Sequence, residues 1–89
     1  MKKKIVNVLG MELERWKHKS CVAFFGIGED WATLYKIESE KKNSGHATEL
    51  LIGAKKHYEG LGKKFGGSVA LSPAMKYLYK KLNIPEYNF

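Results

Sequence analysis

Apolar and polar positions alternate along the first forty residues, and the period then changes. Lys3 to Leu9, with Ile5, Val6 and Val8, predicts a strand ended by Gly10. Met11, Leu13 and Arg15 then alternate with Glu12, Glu14 and Trp16. The stretch Met11 to Lys19 also holds fair helix formers, but the alternation favours a strand. Cys21 to Ile27 is apolar and aromatic, which suits a buried strand. Gly28-Glu29-Asp30 reads as a hairpin turn and Trp31 to Glu38 as the returning strand. Strict alternation there sets Lys36 and Glu38 on the face opposite Tyr35 and Ile37.

Beyond this point the spacing becomes helical. Ala47, Leu50, Leu51, Ala54, Tyr58 and Leu61 share one helical face, and Gly60 and Gly62 supply the stop. Gly67 to Leu71 predicts a short strand. Ser72-Pro73 is a cap followed by proline at the first helical position, opening a second helix with Met75, Leu78, Tyr79 and Leu82 on its apolar stripe. Asn83 tolerates the left-handed cap conformation, and Pro85 prevents continuation. Several strands, a helix, a strand and a helix make an α/β or α+β sheet crossed by helices. No repeat or linker interrupts the chain, so residues 1–89 are read as one domain.

The turn that opens the first helix carries the most information. Lys42-Asn43-Ser44-Gly45-His46-Ala47-Thr48 is a small-residue turn between a strand and a helix N-terminus. Backbone N–H groups at the positive end of a helix dipole bind phosphate without any particular side chain.

Composition narrows the picture only in places. At 89 residues the core is a few side chains thick, and 44% hydrophobic residues argue against disorder. No apolar run reaches the roughly 18–20 residues that span a bilayer. The basic-then-apolar start, Met1 to Leu9, is short for a signal peptide and is interrupted by Asn7. The lone Cys21 excludes an internal disulfide framework, so a reducing cytoplasm and an inert core thiol are expected. The net charge of +7 favours a polyanionic partner. Yet all of the 16 basic residues except Arg15 are lysines, scattered along the chain, which speaks against sequence-reading nucleic-acid recognition. No His-Glu-x-x-His, paired-Cys or Gly-Lys-Ser/Thr pattern supports a metal or nucleotide-triphosphate site.

From Trp31 to Tyr87, order and residues together resemble the GNAT-type N-acetyltransferase superfamily. Its phosphate-binding motif, Arg or Gln, two residues, Gly, one residue, then Gly or Ala, stands here as Lys42-Asn43-Ser44-Gly45-His46-Ala47, followed by Thr48 and Leu50-Leu51. Its later motif, an Ala and a helix ending in Leu-Tyr-x-x-Leu-Gly-Phe, stands as Ala74 and Leu78-Tyr79-Lys80-Lys81-Leu82-Asn83-Ile84. Lys42 replaces the usual Arg or Gln, Ser72 stands where many members have Asn, and Asn83-Ile84 replaces Gly-Phe. About thirty residues precede Trp31, where typical members have a strand and two helices.

The resemblance implies a GNAT-like, mixed but mostly antiparallel sheet with two helices, whose splayed parallel strands form a cleft for acetyl-CoA. It implies that the backbone of Ser44, Gly45, His46, Ala47 and Thr48 holds the pyrophosphate. Tyr35, Lys36 and Ile37 would line the pantetheine arm, with the Ile37 N–H a candidate to polarise the thioester carbonyl. Lys41, Lys42 and Lys76, with Ser72, would meet the remaining phosphate. Tyr79 matches the family's phenol near the sulfur, the proton source for the departing thiolate; it also lies on an apolar stripe, where a core role is the plain alternative. A base for the amine is sought among Glu29, Asp30, Glu38 and Glu40, with Glu29 preferred. His46 is expected to act through its backbone, and His18 and His57 to be satisfied or surface residues.

The activity so implied is acetyl-CoA-dependent transfer to an amine. The short chain favours a large acceptor, such as a protein amine, over a deeply enclosed small molecule. A homodimer stays open, and no membrane is involved. The competing reading is a basic, non-catalytic module that binds nucleic acid or a protein partner through lysines and exposed aromatics such as Trp16 or Trp31. A third is a GNAT-like scaffold that binds CoA without turnover.

Overall fold

The computed structural model describes residues 1–40, 45–68 and 73–86. Four strands run as an antiparallel meander: β1 (Lys2–Val8), β2 (Met11–His18), β3 (Cys21–Ile27) and β4 (Trp31–Ser39). Helix α1 (His46–Gly60) carries the chain across to β5 (Lys64–Gly67), which lies parallel to β4, and α2 (Pro73–Lys81) follows. The result is a small α+β domain with a five-stranded, mixed and mostly antiparallel sheet and two helices, as the order of elements implies.

Pairing decides the ambiguous second segment. Met11–His18 has β1 on one side and β3 on the other, and that ladder overrides the helix propensity of its residues. The β1–β2 loop is the two residues Leu9 and Gly10, at φ 50 and 81. Two positive φ values in a two-residue loop match the twist of the strands it joins.

The core lies between the sheet and α1. Leu50, Leu51, Ala54 and Tyr58 of α1 are buried against Trp16, Cys21, Ala23, Phe25, Ala32 and Leu34. Phe65 of β5 stacks on Tyr58 with ring centroids 6.1 Å apart. Trp16 donates its indole N–H to Tyr58 Oη at 2.8 Å, and the Tyr58 hydroxyl donates to Glu14. Burial, reinforced by that carboxylate, pushes the Tyr58 phenol above the ordinary phenol range. Trp16 is therefore a core residue, 5% exposed, and not a surface aromatic available to a partner. Cys21 is fully buried, and burial raises its thiol pKa, as an inert core thiol requires.

Three expectations need correction. Leu61 is exposed, because α1 stops at Gly60 and Gly62 turns left-handed at φ 80. The N–H groups of Gly62 and Lys63 then close back on Glu59 and Tyr58, ending the helix cleanly. The fifth strand begins three residues early: Lys64 donates its N–H to Asp30 O at 2.8 Å, and Trp31 pairs with Lys64. Residues 69–72, which include the rest of the expected strand and the Ser72 cap, lie outside the described residues.

The third correction is a bulge. Phe25 pairs with Leu34 but Phe24 with Lys36, so Tyr35 is the extra residue of β4. A Cβ on Gly26 would run into the Tyr35 ring, which places that ring on the face away from α1. Tyr35 thus shares its side with Lys36 rather than with Ile37, and alternation fails at this one residue.

Candidate functional site

β4 and β5 pair from Trp31–Lys64 to Leu34–Gly67, and one further bond joins Ser68 N–H to Leu34 O at 2.9 Å. β4 continues for five more residues, Tyr35 to Ser39. Among the described residues no strand pairs with that stretch on the β5 side. The bulge at Tyr35 follows the last β4–β5 pair among the described residues, and the point where β4 runs on past it is called the fork below. The Tyr35 carbonyl accepts a long bond from Ser68 Oγ, at 3.4 Å.

Tyr79 stands at this fork. Its position on α2, closed by left-handed Asn83 at φ 55 and an Ile84 N–H bond to Tyr79 O at 2.8 Å, turns the ring inward. The ring packs over Gly67, where any Cβ would strike the phenol, so glycine is needed there for close approach. Tyr79 Oη donates to Ser68 O at 3.0 Å. Burial and the charge of Glu86 raise the phenol pKa, against the opposing effect of the Ser68 bond. Tyr79 therefore holds its proton at neutral pH. It is also 5% exposed and packs with the core, as the plain alternative read from sequence expects.

The N-terminus of α1 lies at the C-terminal end of the same β4. Ser20, in the β2–β3 turn, accepts the Glu40 N–H at 3.1 Å, and its hydroxyl meets the His46 ring Nδ1 at 2.7 Å. The α1 entry is thereby tied to the end of β4. Gly45 takes φ 80 as the residue before the helix, and no side chain caps the first turn. The N–H groups of Ala47 and Thr48 have no acceptor inside the helix, since the first intrahelical bond runs from Glu49 to Gly45 O. Among the described residues, a Cβ built on Gly45 meets nothing within 4 Å. The Glu49 carboxylate is drawn off towards His18 at 3.3 Å and Lys19 at 3.5 Å, and both hold its pKa low.

The remaining candidates fall in three groups. Lys36 and Ile37 lie on β4 beyond the bulge, with Lys36 paired to Glu38 at 2.9 Å and Ile37 facing α1 opposite Ala23. Lys76 is exposed on α2. Lys41, Lys42, Ser44 and Ser72 lie outside the described residues. Glu29 sits in the β3–β4 turn, where its carbonyl and that of Gly28 accept the Lys63 ammonium at 2.9 and 2.7 Å. Five residues of chain separate Glu29 from Leu34, on the order of 15 Å, so the structure does not bring it to Tyr79. Glu38 carries its ion pair on β4, and Asp30 and Glu40 are exposed.

The carboxylate whose charge reaches Tyr79 is Glu86. Its segment runs beside β5, with Gly67 donating its N–H to Pro85 O at 2.9 Å. Nothing in the sequence pattern pointed to Glu86, or to Ser68 and Ser20 as partners of Tyr79 and His46. His18 and His57 are satisfied, the first by Glu49 and the second by Lys3 Nζ at 2.8 Å and the Trp16 ring.

Compared with known proteins, the chain matches no family model, no curated protein and no solved structure. Among the described residues, no group of three His, Cys, Asp or Glu side chains is placed to hold a metal ion. No helix there is long and apolar enough to cross a membrane.

Proposed function

We propose that this domain binds acetyl-CoA along the open edge of β4 and transfers its acetyl group to an amine, in the manner of the GNAT-type acetyltransferases that its two motifs resemble. The observation that carries the reading is the fork itself. Among the described residues β4 runs on past its last pair with β5 at a bulge, a buried phenol stands beside that point, and α1 begins beyond the far end of β4 with no side-chain cap.

The residues present suit such a ligand. Amides of α1's first turn favour a pyrophosphate, and the lack of a Cβ at Gly45 lets it come close. The Tyr35 to Ser39 backbone offers strand-edge groups to an extended, amide-containing arm. Acetyl-CoA, when bound, supplies an activated acyl group as a thioester. As the amine nitrogen bonds to the acetyl carbon and the C–S bond breaks, Tyr79 Oη would leave the Ser68 carbonyl and give its proton to the departing thiolate. The amine's proton passes to solvent, from which the phenolate is reprotonated. An acceptor that docks from outside, such as a lysine amine of a protein, suits a site built on a sheet edge.

Ligand binding to the folded state alone stabilises it by RT ln(1 + [L]/Kd), so acetyl-CoA at a hundredfold excess over Kd should add about 2.7 kcal/mol, visible as a rise in Tm. Gly45→Val forces a β-branched residue into a left-handed conformation and fills the approach to the amides. Its Tm should fall somewhat, and its response to acetyl-CoA should vanish. An unmodified protein whose Tm ignores millimolar CoA and acetyl-CoA refutes the reading.

A further inference from the structure

We propose that the sheet face turned away from α1 binds single-stranded nucleic acid, at a site centred on β1 and β2 that meets the fork only at Tyr35 and Lys36. Register fixes which residues share that face. The row Lys3, Trp16, Ala23 and Ile37 points at α1, so the two rows beside it point the other way. One is Lys4–Arg15–Phe24–Lys36, a straight line of cation, cation, aromatic and cation across four strands. The other is Lys2–Lys17–Val22–Glu38. Basic residues scattered along the sequence are thus collected by three hairpins into one patch.

Four of these cations have no counter-charge. Lys2 lies opposite Lys17 and Lys4 opposite Arg15, pairings that cost stability in any sheet. Among the described residues, no ion pair engages any of them. Neighbouring strands stand about 4.8 Å apart and alternate residues about 6.8 Å, so the four charges crowd one small area. They line a shallow depression with Lys3 at its edge. No helix among the described residues covers this face, since α1 and the packed residues of α2 lie on the other.

Charge and aromatic content together select the occupant. A second copy of the chain would set the same cations against themselves. An acidic protein would satisfy the charges but leave the aromatics without a purpose. Phe24 is half-buried between Arg15 and Lys36, and the Tyr35 ring, 39% exposed, packs against Gly26 two residues further along β3. Unpaired bases stack on such rings while phosphates meet the flanking cations. A duplex, with its bases inside, uses only the cations.

The test is fluorescence anisotropy with a labelled oligothymidylate of about 12 nucleotides, a length that covers one small sheet. With four phosphates neutralised, log K should fall against log salt with a slope of about −3. Lys4→Glu places an acid opposite Arg15 and so folds at least as well as the parent. It should bind on the order of tenfold more weakly, with a flatter slope. Phe24→Leu keeps the bulk of the residue and removes the stacking surface, so affinity should fall while the slope stays. Gly45→Val should bind the oligonucleotide normally, which separates this site from the fork. The proposal is overturned by no binding at about 50 mM salt, by an unaltered Lys4→Glu variant, or by polyglutamate competing as well as oligothymidylate.

Discussion

Tyr79→Phe should lower turnover with an amine acceptor by about 10²- to 10⁴-fold while acetyl-CoA affinity stays nearly unchanged. The ring still packs over Gly67 and still fills its place beside the core, so the binding edge of β4 is undisturbed. What disappears is one hydroxyl and its bond to the Ser68 carbonyl. Burial and Glu86 hold the phenol pKa above its ordinary value, so at neutral pH the hydroxyl carries its proton. Single-turnover kinetics with acetyl-CoA and a lysine-containing peptide measure the step directly. A rate equal to the parent's, where chemistry limits turnover, assigns Tyr79 to packing alone.

A larger effect on the fold is expected from Phe25→Ala. Phe25 is fully buried and meets three other rings, Trp16 at 6.0 Å, Tyr58 at 5.5 Å and Phe65 at 5.8 Å. Truncation removes the apolar area and leaves a cavity between sheet and helix, at a cost of about 3–5 kcal/mol. A domain of this size has about 5–15 kcal/mol in total and belongs near the low end. The variant should therefore lose most of its stability in urea titration, with the midpoint moving to low denaturant. A loss below about 1 kcal/mol would mean that the ring cluster is not the centre of the fold.

Much of the fold was legible because its elements obey their own periods. The first and third of the three hairpins follow from alternation broken by Gly10 and by Gly28-Glu29-Asp30, and α1 from the spacing of Leu50, Leu51, Ala54 and Tyr58. The bulge at Tyr35 was not legible, since a single inserted residue leaves no mark on a strand's composition. The same is true of the early start of β5, which is decided by a bond from Lys64 to Asp30 across the sheet. Trp16 misleads in sequence because an alternating strand does not say which of its faces is covered.

The candidate site divides in the same way. Gly45 and Tyr79 stand out by motif, whereas Ser20, Ser68 and Glu86 are brought in by folding alone. The basic face was hidden for a simpler reason. Charge counted along the chain looks scattered, and only the register that sets Lys4 opposite Arg15 and Arg15 opposite Phe24 gathers it.

The most direct measurement is an amide chemical-shift titration of the domain with acetyl-CoA. Binding at the fork should move the amides of Tyr35 to Ile37 and of Gly45 to Thr48 together, along one saturating isotherm. The amides of Lys2 to Lys4 and of Arg15 to Lys17, on the distant basic face, should stay in place. No shift at millimolar ligand, or shifts confined to that basic face, would contradict acetyl-CoA binding between β4 and β5.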